Sequence, residues 1–195
     1  AGIRAERDKL SPILLSNGIQ SARELLSARS IGANFAVIHP GTARSEKMWS
    51  VENWVQITDF LNSNADLDVV LTGGSNFMEL EQISHILSRS SKRVASLAGE
   101  TTLATLAAII AQSRIYVGVD TGAAHIADAL GIPSVVLFGS TNPLHWGPRS
   151  PGGRAVGEFG FSSYPHNFPK SSTAAIPTLQ VKAAIVSVFQ GIRQD

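Results

Sequence analysis

A chain of 195 residues can form one domain with a real core and a short appendage. Sixteen basic and fifteen acidic residues leave a net charge of +1, so nothing marks a nucleic-acid or acidic-surface binder. There is no cysteine, which excludes disulfides and thiolate metal sites and suits a cytosolic protein. No apolar run approaches the roughly 20 residues of a membrane span, and no signal peptide is visible at Ala1. Ala1 is not a methionine, and the opening segment reads as the interior of a longer chain.

Residues 1–34 are polar-rich and read as an N-terminal helical linker or hinge, with the main domain over 35–195. Ile13, Leu14, Leu15 and Ile19, then Ala22, Leu25 and Leu26, predict two short helices, closed by Gly32-Ala33-Asn34. Residues 35–39 are apolar and predict the first buried strand. Pro40-Gly41-Thr42 turns the chain into a loop carrying Arg44, Ser45, Glu46 and Lys47. Ser50 reads as an N-cap, followed by a helix through Trp54, Val55, Ile57, Thr58 and Leu61. Trp49, Trp54 and the phenylalanines read as core.

A second strand over 67–71 ends in Thr72-Gly73-Gly74-Ser75, and Leu80, Ile83, Ile86 and Leu87 form the next helical stripe. A third strand is predicted over 94–97. Thr101-Thr102 then caps an apolar helix over 103–111. The fourth strand, over 114–119, breaks at Asp120-Thr121-Gly122. Ala123, Ile126, Ala127 and Leu130 follow at helical spacing, and Gly131 is the C-terminal stop. A fifth strand over 134–138 ends in Gly139-Ser140-Thr141-Asn142. Residues 143–176 are rich in Pro, Gly and Ser with little periodicity, and a last helix runs over 178–192 through Val181, Ile185, Val188 and Phe189.

Strands apolar on both faces that alternate with helices predict a parallel sheet covered on both sides, an α/β, doubly wound, Rossmann-like unit. The loops after the strands then gather along one edge, where open α/β sheets bind ligands. They bring hydroxyls, cations, glycine turns with nearby acids, and a helix start at Thr121-Gly122 that favours an anion. Thr121 and His125, four residues apart, share one helix face. A diphosphate needs such a set. GxGxxG and GxxxxGK[ST] are both absent, which disfavours ordinary NAD and ATP chemistry. The plainer alternatives are a cap at Asp120 or Thr121, a solvated Lys47, a structural His125 and surface charges at Arg149 and Arg154. No HExxH spacing points to a metal.

Four segments occur in order: 39–49 (HPGTARSEKMW), 71–74 (LTGG), 118–125 (GVDTGAAH) and 136–143 (VLFGSTNP). Together, over roughly residues 35–150, they resemble glycosyltransferase family nine, the lipopolysaccharide heptosyltransferases. The resemblance implies one half, the carboxyl-terminal donor-binding half, of a two-domain GT-B enzyme. It also implies a nucleotide-diphospho-sugar donor such as ADP-heptose, inverting transfer to a lipid-linked saccharide acceptor, no metal or other cofactor, and a cytoplasmic protein at most peripheral to the inner membrane.

Residue by residue, the resemblance matches Lys47 to the lysine that meets the donor diphosphate and Thr42 to a phosphate-binding hydroxyl. Asp120 matches the acid on the sugar hydroxyls, Thr121 and Gly122 the helix-start pair, and His125 the histidine of the same motif. Thr101 matches the region lining the base; Ser45 and Gly74 complete the expected set. Ala43 replaces a second threonine, and Glu79 and Glu81 lie further along than the acid that usually follows the double glycine and contacts the ribose. The tail over 161–170 lacks the cysteines of many relatives. The general base is expected in the amino-terminal half, so this chain, expected to be an inactive fragment, is assigned no catalytic residue. A non-catalytic sugar-nucleotide module, or a GT-B transferase or epimerase using another sugar nucleotide, is the alternative.

Overall fold

The computed structural model describes residues 14–42, 44–90, 93–158 and 172–192. Ile13, Ala43 and the cysteine-free tail over 161–170 lie outside them. Six parallel strands form one sheet: β1 (Phe35–His39), β2 (Asp68–Leu71), β3 (Val94–Ser96), β4 (Ile115–Val119), β5 (Ser134–Leu137) and β6 (Gly153–Val156). Their spatial order is β3-β2-β1-β4-β5-β6. The chain winds outward from β1 in one direction and, from β4, in the other. The reversal falls between β1 and β4, and open α/β sheets bind their ligands outside the strands' carboxyl ends at such a point.

The strands alternate at every residue between two cores. Ala36, Ile38, Val69, Leu71, Val117, Val119 and Val135 face one side and pack against three helices: α2 (Val51–Asn64), α3 (Phe77–Arg89) and α7 (Thr178–Ile192). Val37, Val70, Tyr116 and Val136 face the other, against α1 (Ser16–Ala28), α4 (Leu103–Gln112) and α5 (Gly122–Ala129). This double burial is why the strands read as continuous apolar runs rather than alternating ones.

The expected five strands are present, each within a residue or so of its predicted ends. The sixth, β6, falls in the stretch read as aperiodic, as does the one-turn helix α6 (Pro143–Trp146). The two short N-terminal helices are one continuous helix, α1, which sets Ala22 and Leu26 into the second core. The predicted caps hold in part: Ser50 accepts from the Asn53 N–H at 3.2 Å, and Thr102, rather than Thr101, caps α4 by accepting from the Thr105 N–H at 3.2 Å. Gly131 adopts φ 69° and stops α5, a left-handed position that glycine occupies without strain.

Trp49 and Trp54 are fully buried and meet edge to face, 5.0 Å between centroids at 89°. The Trp49 indole N–H donates to the Ile176 carbonyl at 3.0 Å, and the Trp49 carbonyl accepts from the Gln82 amide at 2.8 Å. One residue thus ties the loop after β1 to α3 and to the segment before α7. Trp49→Ala is expected to lower the unfolding free energy by about 3–5 kcal/mol in urea titrations; a loss under about 1 kcal/mol would show that the loop is held by something else.

Candidate functional site

The loops after β1, β4 and β5 converge at the reversal of strand order. After β1, a single 3-10 turn, Ser45–Lys47, swings Lys47 inward. After β4, Asp120 is the first residue past the strand, its N–H still bonded to the Leu137 carbonyl at 3.2 Å. The Lys47 Nζ donates to Asp120 Oδ2 at 2.7 Å and to the Asp120 carbonyl at 3.0 Å. Thr141, after β5, donates its hydroxyl to the same Oδ2 at 2.6 Å. The two charged side chains are only 11% and 8% exposed.

This geometry leaves defined valences. An ammonium has three N–H donors, and Asp120 occupies two of them. Oδ2 is held from two sides, whereas among the described residues Oδ1 has no hydrogen bond, His125 Nε2 lying 3.9 Å away and beyond hydrogen-bond length. One N–H of Lys47 and one oxygen of Asp120 remain for a ligand.

Beside them lies the start of α5. Neither Asp120 nor Thr121 caps it through a side chain. The Thr121 hydroxyl is buried and has no hydrogen-bond partner among the described residues. The Thr121 carbonyl accepts from the N–H groups of Ala124 and His125, at 3.1 and 3.4 Å. The N–H groups of Gly122 and Ala123 precede any helical acceptor, so the helix presents them with its partial positive charge. Gly122 is exposed, with open space on its Cα.

A second polar cluster sits across β1 and β2. Asn76 caps α3 by accepting from the Glu79 N–H at 3.0 Å. Glu79 reaches back, and its Oε2 accepts from the Gly74 N–H at 2.6 Å. Its carboxylate lies so close to Gly41 that a Cβ there would collide with Oε2. His39, the last residue of β1, sits 2.9 Å from the Thr72 hydroxyl through Nδ1. Burial pulls its pKa down to about 4, against the opposing pull of the Glu79 carboxylate, so the imidazole is neutral near pH 7.

Of the residues read from the sequence, Lys47, Asp120, Thr121, Gly122 and His125 come together. Thr42 is buried just before them, its hydroxyl accepting from the Arg44 N–H at 3.2 Å, while Ser45 is exposed at the head of the 3-10 turn. Gly74 belongs to the Glu79 cluster. Thr101, after β3, lies at the sheet's outer edge, two strands from β1. Thr141, Glu79 and His39 were not singled out as site residues. Thr141 was detectable, because it follows a strand at the same edge. Among the described residues no group of three or more His, Asp or Glu could hold a metal, and no helix is long and apolar enough to cross a membrane.

Residues 12–172 match the profile of glycosyltransferase family 9 (heptosyltransferase). Lipopolysaccharide heptosyltransferase 3 from Escherichia coli is 33% identical over 129 residues, which is 66% of this chain and 38% of that protein. A family 9 glycosyltransferase from Veillonella parvula superposes with a TM-score of 0.81 at 21% identity, covering 95% of this chain and 55% of the other. E. coli ADP-heptose LPS heptosyltransferase II gives 0.75 at 20%, covering 94% and 54%. A third structure, an E. coli heptosyltransferase with ADP, gives 0.67 at 22%, covering 86% and 48%. The chain therefore spans about two fifths of the curated relative's length and about half of these solved chains.

Two measurements test the site's electrostatics. Lys47→Ala strands a buried carboxylate and is expected to cost about 3–5 kcal/mol of stability, largely restored when Asp120→Asn is added; equal losses in both variants would mean the pair is not coupled. His39 binds its proton less readily folded than unfolded, so the unfolded state takes up more protons between pH 6.5 and about 4. Stability should fall as pH drops through that window and be insensitive to this group above it. Urea midpoints that stay level from pH 7 to 4 would contradict a buried neutral His39.

Proposed function

From the premise that the chain belongs to glycosyltransferase family 9, we propose that it is the donor-binding half of an inverting heptosyltransferase of lipopolysaccharide core synthesis. The donor is a nucleotide-diphospho-sugar of the ADP-heptose type. The acceptor, a lipid-linked saccharide, is met with a second half that also supplies the general base. The observation that carries this reading is the Lys47–Asp120 pair beside an uncapped helix start. It is supported by relatives described as heptosyltransferases and by a similar fold solved with ADP.

Each group has a task in this reading. The remaining N–H of Lys47 and the N–H groups of Gly122 and Ala123 meet the diphosphate and stabilise the charge that develops on it as it leaves. Asp120 Oδ1 accepts a hydroxyl of the transferred sugar and fixes its orientation. Thr101, after β3, is assigned to the nucleoside's base, and Glu79, beside the glycine turns, is the nearest acid to the place where a ribose contact is expected. With the leaving charge met by these groups, the reaction requires no metal. The natural site of action is cytoplasmic, with peripheral contact at most with the membrane that carries the acceptor.

Calorimetry with ADP-, UDP- and GDP-linked sugars checks the assignment. Selective binding of ADP-heptose is expected. Asp120→Asn should weaken ADP-heptose by about 10-fold or more while changing ADP itself little, because the loss is a charge-assisted bond of about 1.5–3 kcal/mol to the sugar. Lys47→Met in that background should weaken both ligands. Binding of none of the three nucleotide sugars would favour a non-catalytic module. A preference for UDP or GDP would favour a transferase or epimerase using another donor.

A further inference from the structure

The segment between β5 and β6 is fastened at one end to the turn before α5 and at the other to α5 itself. At its start, Thr141 donates to Asp120 Oδ2, just before α5 begins. At its end, the N–H groups of Arg149 and Ser150 donate to Asp128 Oδ1, near the last turn of α5, at 2.9 and 2.8 Å. Between these anchors, Asn142 caps α6 by accepting from the Leu144 N–H at 2.9 Å, Pro143 is buried, and the Gly147 N–H closes the turn on the Pro143 carbonyl at 2.7 Å. The result is a short strap laid along α5 with little freedom of its own.

This strap holds Trp146 beside His125, their rings 6.1 Å apart and tilted at 56°. Trp146 is 56% exposed, whereas the other two tryptophans of the chain, Trp49 and Trp54, are 1% and 0% exposed. An indole kept in water on a braced backbone is an apolar surface set ready for something. Its position indicates what. His125 neighbours both the indole, at 6.1 Å, and Asp120 Oδ1, 3.9 Å from its Nε2. A carboxylate oxygen that accepts hydroxyls, with an aromatic plane close by, matches the two kinds of surface that a pyranose ring presents: hydroxyls at its rim and C–H bonds on its face.

We propose that Trp146 is a specificity-determining residue of the donor site: its indole packs against the C–H face of the donor's sugar while Asp120 Oδ1 holds the sugar's hydroxyl. The proposal rests on the sugar-nucleotide reading given above, which assigns the sugar to Asp120. Trp146 senses the sugar and not the nucleotide. It therefore sets how much more tightly the sugar nucleotide binds than the bare diphosphate. The donor sugar, not the acceptor's, is its ligand, so the effect is present without any acceptor.

The test compares ADP and ADP-heptose on the 195-residue chain without acceptor, by calorimetry and by tryptophan emission. Because Trp146 is exposed, Trp146→Ala and Trp146→Phe should melt within a degree or two of the parent. Trp146→Ala is expected to lose about 2- to 10-fold in ADP-heptose affinity with ADP affinity unchanged, and Trp146→Phe to retain most of it, as an aromatic contact of this kind allows. Emission should shift on adding ADP-heptose but not ADP, and that shift should vanish in Trp146→Phe. If Trp146→Ala keeps the full ratio between the two ligands, the proposal fails while the donor-site reading stands. If the parent chain binds neither ligand, both fall.

Discussion

The loops after β1, β4 and β5 are joined by one buried ion pair. Two charges taken out of water stabilise a fold little by themselves, because desolvation offsets much of their attraction; removing one partner is what costs several kcal/mol. The pair formed by Lys47 and Asp120 meets the conditions for tolerating burial. Its length is 2.7 Å, the ammonium has a second bond to the Asp120 carbonyl, and the carboxylate has a second donor in Thr141. It also joins loops that are far apart in sequence, after β1, β4 and β5. The point of reversal between β1 and β4 is therefore not merely a product of the topology. A polar lock spans it, and the lock retains unused bonding capacity.

That unused capacity links structure to function. A lock satisfied in full would be a structural device. Here one donor of Lys47, one oxygen of Asp120 and the first N–H groups of α5, which begins two residues after Asp120, have no bond among the described residues: a mixture of positive charge and a single acceptor. This suits a ligand that is anionic at one end and hydroxylated at the other. The strap over 141–150 extends the same logic outward. It begins on the lock through Thr141 and ends on Asp128, and it holds Trp146 next to His125.

Much of this was legible in the sequence, and the reasons are physical. Burial on both faces of a parallel sheet produces short, wholly apolar runs, so the four interior strands β1, β2, β4 and β5 and the helices between them could be read; β3, at one edge and only half-buried, was legible because Val94, Ala95 and Leu97 keep the stretch apolar. The strand at the other edge, β6, could not, because its first two residues are Gly153 and Arg154 and it follows a stretch of Pro, Gly and Ser. The helix α6, with four residues, is too short to show a period. At the site, Lys47 and Asp120 were visible as chemistry following strands. That they bond to each other was not, since the contact depends on a 3-10 turn that reverses the direction of Lys47. Glu79 stands five residues after Gly74, further along than the acid expected after a double glycine. In the fold that distance is one cap and one turn of helix, which brings the carboxylate back onto the Gly74 N–H. His39 read only as the end of a strand, and its burial beside Thr72 is a product of tertiary packing.

A structure of the chain bound to ADP tests the central claim most directly. The account predicts that the diphosphate lies within about 3 Å of both Lys47 Nζ and the Gly122 N–H, with the Lys47–Asp120 bond still intact. A diphosphate bound elsewhere on the molecule, or one that takes Lys47 away from Asp120, would contradict it.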